Sequence, residues 1–434
     1  MKNARETAVL ILVEIHRSGA YSNLMLKKRL GPDMPGPEKR LATTLVYGVI
    51  QRQLTLDYII GQYSKIKLKK ISAYILEILR VGIYQLLYLD KIPDSAAVNE
   101  SVKLARRYGH GASAGYVNGI LHSVLRGTVR YPADPLERLS VEESFPLWLC
   151  RAWTEEFGPA FAKELMAAMN GQPPLCLRAN TLKISPAALA QALPGGQVSE
   201  LYPQAVTAQG FDIAGSAEYR AGLFTVQDIS AMLAGAALGP KRGQQVIDLC
   251  AAPGGKTTHL AQLMENTGRI QAFDIHPHKI QLIRENAGRM GIDIIEAQPG
   301  DAARFDQRLS ETADKVLADV PCSGLGIIRR KPEIKWKQAA DTDLPEIQYR
   351  ILENGARYVK PGGELVYSTC TLRPQENQAV IQRFLAEHRG FSPVDFGDRL
   401  PAALRKDTLR DGYITFYPHT DGIDGFFIAK LKKV

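Results

Sequence analysis

Cysteine is scarce in this chain: five among 434 residues, at positions 150, 176, 250, 322 and 370. The number is odd, the spacing is wide, and no C-x-x-C pair occurs. A disulfide framework and a zinc site are therefore not expected, and free thiols suit a cytoplasmic protein. Long apolar runs are missing, so no membrane span is expected. The N-terminal "AVLILV" block, set between Arg5 and Glu14, is too short for a signal peptide, and no small-residue cleavage site follows it. The G-x-G-x-x-G fingerprint of dinucleotide folds is also lacking, which weighs against a hydride carrier. Acidic residues are short in one region only. Residues 1–130 hold 20 Lys+Arg against 9 Asp+Glu, and the remainder holds 34 against 36. The whole basic excess thus lies in the first third. It favours a polyanionic partner, nucleic acid ahead of a membrane surface, although a well-solvated helical surface has the same composition.

What is present falls into segments. The length suggests two or three domains. Residues 1–130 read as an all-helical bundle, from the apolar spacing of "RLATTLVYGVIQRQLTLDYII" and "AYILEILRVGIYQLLYL". Residues 131–170 read as a helical connector. Residues 171–234 read as a small α+β unit, with a strand in "PPLCLRANTLKIS" and a helix in "PAALAQAL". From 235 to 434 strands alternate with helices: "QQVIDL", "RIQAFDI", "DKVLADV" and "GGELVYST" are strands, and "TTHLAQLM" and "HKIQLIRENAGRM" are helices. That alternation implies a doubly wound, mostly parallel sheet, closed by a hairpin at the C-terminal tail.

The chemistry-bearing residues sit at the strand ends of this last segment. In "DLCAAPGGKTTHL", Pro253, Gly254 and Gly255 let the backbone turn tightly before a helix whose N-terminus offers free N–H groups. "GGKT" invites a P-loop reading, but that pattern needs glycine where Cys250 stands, so a nucleoside cofactor ranks above phosphate cradling. Asp274 ends the second strand, where a carboxylate can accept from ribose hydroxyls, and Asp301 falls just past the third. Singly each aspartate reads as a capping residue; together they favour a cofactor site, and one for S-adenosylmethionine needs no pyrophosphate cradle. "ADVPCSGLG" places Asp319 and Cys322 at the fourth strand end, and "VYSTCTL" places Cys370 at the fifth. Two thiols and a carboxylate beside a methyl donor fit methylation of a pyrimidine at carbon 5. A thiolate adds to carbon 6, an acid supports N3, and a second thiol assists loss of the carbon-5 proton. "IIRRKPEIKWKQ", residues 327–338, sets Arg329, Arg330, Lys331, Lys335 and Lys337 around Trp336. A nucleic-acid strand at the cleft and a solvated loop with one packed tryptophan are equally weighted readings of it. His276 and His278 read as helix-start residues rather than metal ligands, and Cys150 and Cys176 as core.

The motifs "LRANTLK", "VQDISA", "DLCAAPGGKT", "AFDIHPHK", "DVPCSGLG", "KPEIKW" and "YSTCTLRPQEN" resemble the RNA cytosine-5 methyltransferase family of the Nop2/Sun type over roughly 171–434. Residues 1–130 resemble the NusB-type RNA-binding domain, notably in "AVNESVKLARRYG" and "VNGILHSVLR". The resemblance implies three parts: an all-α NusB-like bundle, a small RRM-like α+β subdomain and a Rossmann-like class I methyltransferase domain. It implies an S-adenosyl-L-methionine pocket built from Cys250, Ala251, Ala252, Pro253, Gly254, Gly255, Lys256, Asp274, Asp301 and Asp319. It implies Cys370 as the attacking thiol and Cys322 as the group assisting release, a choice between the thiols that composition leaves open; Asp319 is then the acid expected to support N3. The partner it implies is 16S ribosomal RNA, acted on by a monomer without metal or membrane. The basic bundle would dock the RNA, so its loss is expected to weaken binding more than chemistry. A non-catalytic NusB-type binding factor with a vestigial cofactor fold is the alternative from another class, and a P-loop nucleotide hydrolase is third.

Overall fold

A computed structural model describes residues 3–31, 33–213, 215–337 and 343–434. Gln338, the last residue of the basic 327–338 segment, lies outside the described residues. The chain divides into two compact units.

The helical unit takes in residues up to 171 and, from much later in the chain, the segment from Ile328 through Lys337. Its helices are α1 (Ala4–Ser18), α2 (Ser22–Arg29), α3 (Gly36–Tyr63), α4 (Ala73–Tyr88), α5 (Asp94–Tyr108), α6 (Ser113–Arg126), α7 (Pro135–Glu143), α8 (Leu147–Phe157) and α9 (Pro159–Met169). Helix α1 starts where Asn3 accepts from the Glu6 N–H and stops at Gly19, in the left-handed conformation at φ 66°. Its face of Ala8, Leu12 and Ile15 joins Val46, Val49, Ile78, Leu121 and their neighbours in one buried core. The second half of α7 is capped by Ser144, which also acts on α3. The Ser144 Oγ accepts from Leu54 N at 3.0 Å and Thr55 N at 3.4 Å. Those N–H groups would otherwise bond to Ile50 and Gln51 four residues back. Helix α3 bends there, with Arg52 at φ −105°, ψ 15°. The two freed carbonyls are taken by the late segment: Trp336 Nε1 donates to Ile50 O at 2.8 Å and Lys335 Nζ to Gln51 O at 2.6 Å.

That arrangement bears on both readings of residues 327–338: Trp336 is packed, but Lys335 is neither solvated nor free for RNA. Lys335 is fully buried, with its Nζ 4.1 Å from the Phe145 ring centre. Burial, with the Arg52 charge, holds its amine well below the usual lysine range. Trp336 packs against the helical core, and Glu333 accepts from Ser22 Oγ at 3.0 Å. The expectation of a cation–aromatic strip for RNA is corrected at Lys335 and Trp336. Both are structural, because their polar atoms complete a broken helix.

The α/β unit carries a small four-stranded antiparallel sheet of β1 (Cys176–Ala179), β2 (Gln197–Val198), β3 (Ala205–Thr207) and β4 (Phe224–Val226), in the order β2-β3-β1-β4. Helices α10 (Pro186–Ala192) and α11 (Ala217–Arg220) belong to it, and α12 (Ile229–Leu238) follows. The large sheet then runs through β5 (Gln245–Asp248), α13 (Gly255–Leu263), β6 (Arg269–Asp274), α14 (Pro277–Met290), β7 (Ile295–Pro299), β8 (Ala313–Asp319), α15 (Leu344–Tyr358) and β9 (Val359–Thr369). Helix α16 (Gln378–Glu387), β10 (Phe391–Pro393), β11 (Tyr413–Phe416), the short α17 (Pro418–Asp421) and β12 (Phe426–Lys433) complete it. The strand order is β10-β12-β9-β8-β5-β6-β7, with β11 on β12. Strands β5 to β9 are parallel; β12 lies antiparallel to β9 and pairs with β11 as the expected hairpin. The order reverses between β5 and β8. A crevice forms at the carboxyl ends of strands at such a point. Cys150 and Cys176 are buried, as expected.

Candidate active site

The carboxyl ends of β5, β6, β8 and β9 deliver the expected residues to one place. A cleft of about 330 Å³ is lined by Cys250, Ala252, Asp274, Asp301, Asp319, Cys322 and Cys370, with Ile275, Ile347 and Ile351 as apolar wall. The register explains the closeness. Asp319 on β8 is the ladder partner of Ser368 on β9, and the Ser368 Oγ donates to Asp319 Oδ1 at 2.8 Å. Cys322 and Cys370 follow these two residues at the strand ends, and their Sγ atoms meet at 3.3 Å.

The two cysteine loops are stitched together. Ser323 and Thr371 share a hydroxyl hydrogen bond at 2.7 Å, and Gly326 N donates to Cys370 O at 2.9 Å. Gly326 must be glycine, because a Cβ there would stand 2.0 Å from Gly425 O. Glu376, fully buried, accepts from Ser323 N at 2.9 Å and Gln348 Nε2 at 3.0 Å. Glu376 lies inside the "RPQEN" stretch, but sequence alone gives it no partner, since Ser323 is 53 residues away. Contact with the Cys370 sulfur, then burial, then the charges of Cys370, Glu376 and Asp319 push the Cys322 thiol well up, which makes its thiolate a strong base.

The turn from Cys250 to Lys256 lies on the other side of the cleft. Gly254 sits at φ 100°, and a Cβ would reach 3.2 Å from Ile283 Cα, so the turn needs glycine for both space and conformation. Helix α13 starts at Gly255 and presents the unsatisfied N–H groups of its first turn. Lys256 Nζ reaches Asp319 Oδ2 at 2.6 Å. Burial opposes its charge, but the Asp319 carboxylate outweighs burial and holds the ammonium above its ordinary range. Asp274 and Asp301 line the cleft and also cap, accepting from His276 N at 2.9 Å and Ala303 N at 3.0 Å. The capping reading given to each of them singly is what these bonds show.

The electrostatics separate the ligand classes. Burial raises the Cys250 thiol well above its usual range, and the charges of Asp248, Asp319, Asp274 and Asp301 add to this. These acids are largely offset: Asp319 pairs with Lys256 at 2.6 Å, Asp301 with Arg304 at 3.3 Å and Asp274 with Lys279 at 3.9 Å. The lysine that a P-loop aims at phosphates is here paired with Asp319. Asp248, absent from the expected set, is fully buried, with Oδ2 accepting from Thr257 Oγ1 at 2.7 Å. Burial pushes its carboxyl up to about 7; the Thr257 bond opposes this and the Asp319 charge adds to it.

Arg178 is a second residue that sequence reasoning left inside a motif without a role. It stands on β1, fully buried, and all its described partners are neutral. It donates to Gln262 Oε1 at 2.6 Å, Gly255 O at 2.6 Å, Thr258 Oγ1 at 2.8 Å, and Gln227 Oε1. The small sheet thus grips the start of α13, directly behind the turn.

A Rossmann-like sheet with a glycine-bearing turn and paired thiols at its switch point defines a methyltransferase. Residues 235–432 match the 16S rRNA methyltransferase RsmB/F family, residues 2–126 the NusB family, and residues 145–216 the ferredoxin-like domain of RsmF/B-like methyltransferases. A curated relative from Bacillus subtilis (strain 168), the probable ribosomal RNA small subunit methyltransferase B, is 40% identical over 99% of both chains. The crystal structure of PH0851 superposes with a TM-score of 0.82 at 27% identity, covering 100% of this chain and 99% of that one. A methyltransferase homolog protein from Pyrococcus horikoshii gives 0.58 at 32% identity, covering 70% of this chain and 100% of that one. The chain belongs to the RsmB/F family of methyltransferases, with a NusB-like helical domain and a ferredoxin-like domain ahead of the Rossmann-like one.

Proposed function

We propose that the chain methylates carbon 5 of a cytosine in 16S ribosomal RNA, with S-adenosyl-L-methionine as donor. The observation that carries this reading is the approach of the Cys322 and Cys370 sulfurs to 3.3 Å in the wall of the cleft that the 250–256 turn also lines. The name of the Bacillus subtilis relative supports the choice of substrate.

The donor supplies a methyl group made electrophilic by its sulfonium. The cleft suits it: apolar walls, and carboxylates at Asp274 and Asp301 to accept from hydroxyl and amino groups. The residues from Cys250 to Lys256 would lie along it. The base needs activation, because carbon 5 of cytosine is a weak nucleophile. Cys370 adds through sulfur to carbon 6, forming an S–C bond and driving electrons toward N3 and carbon 5. Asp319 supports N3 as one half of a pair. Lys256, kept as an ammonium, brings the proton that a carboxylate alone lacks. Carbon 5 would take the methyl group as the sulfonium's S–CH3 bond breaks; the carbon-5 proton would then pass to the Cys322 sulfur in its thiolate form, the C–H electrons restore the C5–C6 double bond, and the S–C bond electrons return to Cys370.

The test is transfer of labelled methyl from S-adenosylmethionine to small-subunit rRNA, with bisulfite mapping of the product. One protected cytosine, absent without the protein, is the expected result. Label at another base, or none, contradicts the reading. Binding of rRNA without transfer would favour the non-catalytic alternative.

A further inference from the structure

We propose that the ribosomal RNA docks on one cation-rich face of the helical unit, built from the lysine loop Lys65–Lys70 and the end of α6. This deepens the rRNA reading above and rests on it. The loop between α3 and α4 reads "KIKLKK", and Lys65, Lys67, Lys69 and Lys70 are all exposed. No Asp or Glu occurs from Tyr58 to Leu76, nor from Gly109 to Ala133, the stretch that contains α6 with Arg126 and Arg130.

The fold joins these two acid-free stretches. Ser64 and Tyr116 share a hydroxyl hydrogen bond at 2.6 Å. Tyr63 donates to Thr128 O at 3.2 Å, and Tyr58 and Gln62 both donate to Arg130 O. Six cations are thereby gathered around the end of α3. Elsewhere in the unit several basic residues form ion pairs: Lys28 and Arg29 with Glu14, Arg52 with Glu143, Arg80 with Asp57 and Glu77, Lys103 with Glu100, Arg107 with Glu6, Arg138 with Glu142. Among the described residues no ion pair involves the four loop lysines, Arg126 or Arg130. Six cations drawn from two stretches that carry no carboxylate make a candidate polyanion site, and phosphates are the matching chemistry. Exposed Ile66 and Leu125 stand among the cations and offer apolar contact to sugar and base.

The experiment uses the full chain and a transcript of small-subunit rRNA. One variant carries Lys65→Gln, Lys67→Gln, Lys69→Gln and Lys70→Gln; a second carries Arg126→Gln and Arg130→Gln; a control carries Lys91→Gln and Lys163→Gln, exposed on the same unit. Binding is measured across salt concentrations. The slope of log affinity against log salt should shrink by about 2 to 4 in the lysine variant and by about 1 to 2 in the arginine variant. Affinity should fall at least tenfold in the former, with the control within twofold and S-adenosylhomocysteine binding unchanged in all three. Wild-type affinity and slope in both test variants overturn the docking face, as does an equal loss in the control; a face that serves an acidic protein or a lipid surface would give the first of these. Failure of the unaltered chain to bind the transcript would instead overturn the rRNA reading underneath.

Discussion

Asp248 shows how the interior of the site is tuned. It is buried beside Asp319, and its carboxyl is pushed up to about 7. The folded state therefore favours the protonated form, whereas the unfolded chain releases that proton near pH 4. Its contribution to stability is complete below about pH 4 and is lost as pH rises through 7. Asp248→Asn keeps an acceptor for Thr257 and removes the titration. The variant should melt higher than wild type above pH 7, and the gap should close toward pH 4. Melting curves that stay parallel across that range would count against a raised Asp248. The residue escaped sequence reasoning because a strand-end aspartate looks like any other; its burial is set by neighbours that only the sheet assembles. Cys322, Cys370 and Asp319 were legible because strand ends of one parallel sheet share an edge, so motif and topology together place them.

Helix α13 and the turn before it depend on an element far back in the chain. Arg178 on β1 donates to the Gly255 carbonyl and the Thr258 hydroxyl, and burial lowers its guanidinium only to about 9, so it stays charged. A buried cation held by neutral partners is costly, and its return is a fixed start for α13. Arg178→Met should raise KM for S-adenosylmethionine by about tenfold or more with a smaller change in kcat, and should speed amide exchange over 254–258 in the free protein. Unchanged exchange and KM would reduce Arg178 to a packing residue. The kink of α3 makes a second element-scale case. Trp336→Phe keeps the ring but leaves the Ile50 carbonyl without its donor, a loss of about 1–3 kcal/mol that thermal unfolding should register. No loss would mean that water replaces the indole N–H. Sequence reasoning could not find this segment's place. Its charges suited RNA and solvent equally, and the carbonyls it completes lie 284 and 286 residues earlier.

For the whole molecule, the change of hydrophobic period from 3.6 alone to alternating strands and helices was enough to read the fold class. The two units do not follow the order of the chain, however. The helical unit runs to residue 171 and takes back the segment from Ile328. Thr55 on α3 donates to Val141 O, so helices beyond residue 130 share its packing. Cutting at 130 would strip partners from buried groups, including Lys335. For this reason charge substitutions on the lysine face test RNA docking more cleanly than the deletion that the sequence alone suggests. Long-range hydrogen bonds of this kind leave no local pattern, which is why the segments were legible and their assembly was not.

In the proposed reaction two sulfurs have different duties toward one base. Its most direct measurement is peptide mapping of the protein–RNA adduct by mass spectrometry, after incubation of Cys322→Ser and Cys370→Ser proteins with rRNA and S-adenosylmethionine. The Cys322→Ser protein should accumulate a denaturant-stable adduct carrying a methylated cytosine on the peptide that contains Cys370, and the Cys370→Ser protein should form none. An adduct on Cys322 in the Cys370→Ser protein would contradict the account, and would exchange the roles of the two thiols.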